Sequence, residues 1–66
     1  MNKKEIGQRL KKLRGEESIR DVAKKCGISR SALAMYETGQ RVPRDEIKLV
    51  LAQYYNTSVE ALFFYG

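Results

Sequence analysis

The chain contains no histidine and no tryptophan, a single cysteine, a single proline and no long apolar run. Without histidine it lacks the commonest general base and the side chain that titrates near neutral pH. Cys26 alone cannot close an internal disulfide, and with no histidine beside it cannot complete a four-ligand zinc site. The longest apolar run, Ala61 to Tyr65, falls far short of the ~20 residues that span a bilayer. The opening Met1-Asn2-Lys3-Lys4-Glu5 has no apolar segment of the signal-peptide kind. A glycine-rich phosphate loop is missing too, as are paired carboxylates with a plausible pocket, which leaves an enzyme little support. The expectation is a reduced, cytoplasmic chain that needs no metal, cofactor or membrane.

What is present is the composition of a folded globule. Of 66 residues, 42 % are hydrophobic and 32 % charged, which predicts one small domain over residues 1–66. A chain of this size buries only about 60 % of its unfolded surface, so its core, or pairing with a second copy, must hold it. The net charge of +5 is uneven. Lys3, Lys4, Arg9, Lys11, Lys12 and Arg14 face only Glu5 within the first fourteen residues, whereas basic and acidic groups balance over the remainder. That excess favours encounter with a polyanion, and it also suits the solvated face of an amphipathic helix. Lys48 reads as another solvated helix charge.

Periodicity and caps predict five short helices. Ile6, Leu10 and Leu13 form the stripe of a first helix from Lys3 to Arg14, opened by Asn2 and stopped at Gly15. Ser18, with Asp21 three residues on, opens a second that turns Ile19, Val22, Ala23 and Cys26 inward and stops at Gly27. Cys26 is best read as a small buried hydrophobe there. Ser29 caps a third, from Arg30 to about Thr38, ended by Gly39. Pro43 lies in a polar loop, 40–44, and a fourth helix follows from about Arg44 to Tyr55 with Ile47, Leu51, Tyr54 and Tyr55 on one face. Asn56 ends it, and Ser58 opens a short fifth with Val59, Leu62 and Phe63 on its apolar side.

Residues 19–38 carry the strongest signal. Two helices joined by a very short turn need a small residue at their crossing, supplied by Ala23, and a turn residue that accepts positive φ, supplied by Gly27. Val22, Ile28, Leu33 and Tyr36 are suited to fill the crossing, and Arg30, Ser31, Ala34, Glu37 and Thr38 to form the opposite, polar face, with Met35 at its edge.

The segment Val22-Ala23-Lys24-Lys25-Cys26-Gly27-Ile28-Ser29-Arg30-Ser31-Ala32-Leu33 resembles the Cro/repressor-type, or XRE-family, helix-turn-helix. Tyr36 to Pro43 and Asn56 to Phe63 are similar to that family's segments after the third helix and in the fifth. The resemblance, spanning about Ile6 to Phe63, implies an all-α, compact five-helix bundle of the lambda-repressor-like DNA-binding fold. It further implies a bacterial, phage or mobile-element regulator, a repressor that binds double-stranded DNA as a homodimer on a palindromic operator. Two departures stand out: the Gly15-Glu16-Glu17 link is about two residues short for the family, and Ile19 stands where a phosphate-binding Gln is common, leaving Arg20 as the substitute donor.

On that resemblance, Arg30 and Ser31 open the helix that enters the major groove. Arg30 is the candidate to read guanine; a phosphate contact or a solvated arginine is its plainer reading. Ala34 offers a methyl or close approach, and Met35 is either a groove contact or filler at the core's edge. Ser29, Thr38, Gln40, Arg41 and Arg44, with Arg20, are the phosphate candidates. Glu37, an acid that would repel DNA, is expected to pair with Arg14. Phe63, Phe64 and Tyr65 crowd the C-terminal end beyond what a small core absorbs and are candidates for a dimer interface. The rival from another class is a protein-interaction module that uses the same fold and this aromatic end.

Overall fold

The computed structural model describes residues 2–64, and Tyr65 of the expected aromatic patch lies outside them. Helix α1 spans Lys3–Arg14, α2 Ile19–Cys26, α3 Arg30–Glu37 and α4 Asp45–Tyr54; a π-helical turn, Glu60–Phe64, completes the all-helical order. Every start but that of α4 is set by a local side-chain cap. The Asn2 side chain accepts the amides of Lys4 and Glu5, and the hydroxyls of Ser18, Ser29 and Ser58 accept those of Asp21, Ala32 and Ala61. These bonds satisfy donors that a helix N-terminus otherwise leaves orphaned.

Gly27 makes the tight turn between α2 and α3. Its φ of 71° lies in the left-handed region, and the Ile28 amide then reaches back to the Ala23 carbonyl at 3.0 Å. Asn56 performs the same office after α4 with φ 56°, a conformation asparagine tolerates better than most residues.

The core is a single cluster of Ile6, Leu10, Val22, Ala23, Cys26, Leu33, Tyr36, Leu51, Ala52, Leu62 and Phe63, against which Ile19, Ile28, Ile47, Tyr54 and Tyr55 pack. The fifth element differs from an ordinary helix. Its wider π turn sets the adjacent Leu62 and Phe63 both fully inward, beneath α1.

Three expectations are corrected by packing. Leu13 is 43 % exposed, because the inward face of α1 is centred on Ile6, Gly7 and Leu10, and one turn later that line passes through Arg14. Phe63 is 1 % exposed, so it belongs to the core and not to any surface patch. Lys48 is buried: its ammonium sits 5.1 Å from the ring centre of Phe64, 5.8 Å from that of Phe63 and 3.6 Å from Asp45.

Candidate nucleic-acid interface

On α3, Leu33, Tyr36 and Glu37 are turned into the molecule. The side chains left outward at three- and four-residue spacing are Ser31, Ala34, Met35 and Thr38, with Arg30 exposed at the helix start. Glu37, placed on the polar outer face by sequence patterning, is instead buried, its side chain 4 % exposed. Arg14 meets it with two parallel bonds: Nε donates to Oε2 at 2.7 Å and Nη2 to Oε1 at 3.0 Å. This carboxylate raises the Arg14 pKa above its ordinary value, mainly through the hydrogen bond, against an opposing effect of burial. Arg14 Nη1 also donates to the Glu17 carbonyl at 2.7 Å, tying the short α1–α2 link to the same pair. The Tyr54 hydroxyl donates to Glu17 from the other side, at 2.5 Å.

Since Glu37 is the only acid on α3, the outward stripe carries no negative side chain. Met35 is half-buried, at the border of that stripe.

The turn after α3 is drawn tightly onto the helix. The amides of Thr38, Gly39, Gln40 and Arg41 all donate to carbonyls of Ala34, Met35 or Tyr36. The Thr38 hydroxyl donates to the Ala34 carbonyl at 2.9 Å, so its hydrogen is committed and it is no longer a ready phosphate donor. What remains outward here are the side chains of Gln40, Arg41 and Arg44, all exposed. Arg44 sits at the start of α4 and makes no side-chain capping bond. Arg20 is exposed near the start of α2, and Ser29 is exposed with its oxygen accepting the Ala32 amide.

Gly7 is a determinant the helix pattern does not reveal. A methyl group there would lie 2.7 Å from the Tyr36 carbonyl oxygen and closer still to that of Glu37. Its lack of a side chain lets α1 rest directly on the C-terminal end of α3 and fixes the angle at which α3 is presented. The signal was a glycine inside an otherwise strong helix, where it costs about 1 kcal/mol relative to alanine.

These elements, two helices crossing over a left-handed glycine with the second braced from behind, coincide with a match to the helix-turn-helix domain family over residues 5–62. The chain belongs to the helix-turn-helix domain family. That membership agrees with the Cro/repressor-type resemblance and places the chain in a family of DNA-binding domains that typically carry no catalytic activity. No curated protein and no solved structure matches it. No helix among the described residues of this helix-turn-helix domain is long and apolar enough to cross a membrane, and those residues hold no metal-binding cluster.

Proposed function

We propose that this helix-turn-helix domain is a sequence-specific transcriptional regulator that lays α3 in the major groove of a palindromic operator. The observation that carries the reading is the disposition of charge on α3. Its one acid is withdrawn and neutralised by Arg14, while Arg30, Ser31, Ala34 and Met35 remain along the outward side. An exposed carboxylate on this side would meet the phosphates at close range and oppose docking. Arg30 reads a guanine through paired bonds to O6 and N7, Ser31 adds a permissive contact, and Ala34 and Met35 present apolar surface to a thymine methyl. Arg20, Ser29, Gln40, Arg41 and Arg44 grip phosphates on either side and set the register.

The domain acts as a homodimer whose two α3 helices lie about 34 Å apart, in successive major grooves. Phe64, 55 % exposed, is the aromatic group offered for that pairing. The assignment as a repressor, of phage or mobile-element type, rests on the Cro/repressor-type resemblance.

Selection from a random duplex pool at about 150 mM salt, where weak electrostatic binding is suppressed, tests the proposal. Two related half-sites centred about ten base pairs apart are expected. Arg30→Ala should remove the preference at one base in each half-site, worth about 1–3 kcal/mol, while the domain stays folded. Retention without enrichment, or selectivity unchanged in Arg30→Ala, would refute base reading by this helix.

A further inference from the structure

We propose that Lys3 and Lys4, in the first turn of α1, form an additional phosphate-binding edge beside the loop that follows α3; this rests on the DNA-binding reading above. The basic excess of α1 is not one uniform surface. Arg14 is committed to Glu37, and Arg9 donates to the Leu62 carbonyl at 3.0 Å with Glu5 3.8 Å away. Lys12 borders the groove formed with Leu13, Thr57 and Ala61, on the side of the C-terminal turn. Lys3 and Lys4 are exposed and have no ion-pair partner among the described residues.

Their position follows from two close approaches. Lys3 and Lys4 precede Gly7 by four and three residues, so they flank the face of α1 that rests on the carbonyls of Tyr36 and Glu37. One turn earlier in α1, Lys4 reaches the turn that follows α3. A methyl group on Gly39 would meet Lys4 Cα at 3.2 Å and its Cγ at 3.3 Å. The start of α1 thus lies against the turn whose outward side chains are Gln40 and Arg41, and the Lys4 stem leaves from that contact. A phosphate gripped by this loop lies on the side from which the Lys4 stem leaves, with Lys3 exposed next to it in the first turn of α1.

Both lysines also lie near the negative end of the α3 dipole, and a purely structural role there would appear as stability alone. Salt dependence separates the two roles. Binding of the whole chain to a short mixed-sequence duplex is measured by fluorescence anisotropy between about 50 and 200 mM salt, for wild type, Lys4→Gln, Lys3→Gln/Lys4→Gln and Lys12→Gln. Each lost phosphate contact lowers the slope of log K against log salt by about 0.9, so the double variant should lose about 1.8. Lys12→Gln, which removes the same charge as Lys4→Gln, should leave the slope unchanged. Equal slope changes in Lys4→Gln and Lys12→Gln would reduce the effect to diffuse charge and overturn the proposal. So would a lower melting temperature in the double variant with an unaltered slope. A wild-type chain with no salt-dependent duplex binding would instead overturn the DNA reading itself.

Discussion

At the scale of single residues, the buried ionisable groups determine how stability responds to substitution and to pH. Glu37 is held almost wholly out of water by Arg14. Removing Arg14 leaves the Glu37 charge buried and unpaired, at a cost of about 3–5 kcal/mol. Arg14→Ala should therefore be among the most damaging substitutions outside the apolar core, and urea denaturation measures it; Glu37→Ala should cost less, because Arg14 is partly exposed and keeps its bond to the Glu17 carbonyl. Tyr55 is the opposite case: its hydroxyl is buried with no hydrogen-bond partner. Tyr55→Phe removes that unsatisfied group and should raise stability by about 1 kcal/mol, visible as a higher urea midpoint. Burial also lifts the pKa of Tyr55 above its ordinary 10.0, with Glu37 adding to the effect, and lifts the Cys26 thiol above its ordinary 9.0. The unfolded chain gives up both protons first. The contribution is complete below about pH 9 and is lost as pH climbs through the raised folded values. Alkaline melting curves should show this loss beginning near the thiol value, and Cys26→Ala should move the onset upward. Native Cys26 should react slowly with thiol reagents for the same reason.

At the scale of elements, the presentation of α3 depends on two glycines for different reasons. Gly27 has open space around it, and only its positive φ resists a side chain. Gly27→Ala should cost about 1–2 kcal/mol, with Gly27→Asn milder because asparagine visits that region more readily. Gly7 has ordinary helical surroundings but backbone oxygens where a methyl would go. Gly7→Ala improves helix propensity, yet α1 must lift from α3 to accept it, and overpacking of this kind costs about 1–3 kcal/mol. Thermal melts of the two alanine variants give the stabilities. Duplex affinity should distinguish them further, because only Gly7→Ala is expected to tilt α3 relative to the start of α1.

At the scale of the whole molecule, the C-terminal aromatics divide between core and surface. Phe63 seals the cluster beneath α1, while Phe64 lies mostly in solvent across the ammonium of Lys48. Phe63→Ala should cost about 3–5 kcal/mol and threaten folding of so small a chain. Phe64→Ala should leave the melt nearly unchanged and weaken self-association, measured by sedimentation equilibrium over a range of concentrations. Association unchanged by that substitution would move the dimer contact away from this end. The overall charge of +5 favours encounter with a polyanion at any orientation, and on the proposed function the groups beside α3 select the one that is held.

Four of the five helix starts and the turn at Gly27 were legible because caps and glycine conformations act within about four residues. Ser18, Ser29 and Ser58 each make the bond their spacing announced, and the crossing residues Val22, Ala23 and Leu33 are buried. Burial was less legible wherever two elements compete for one position. Leu13 lost its place to Arg14, Lys48 was drawn under two phenylalanine rings, and Thr38 turned its hydroxyl back into α3. None of these follows from a helical period, because each depends on where a neighbouring element lies. The number of helices, their capped starts and the helix-turn-helix pattern can be read from the residues alone, because they rest on contacts close along the chain. The burial of Glu37, the seat of α3 on Gly7 and the place of the start of α1 beside the following loop come from packing, because each joins residues more than twenty positions apart.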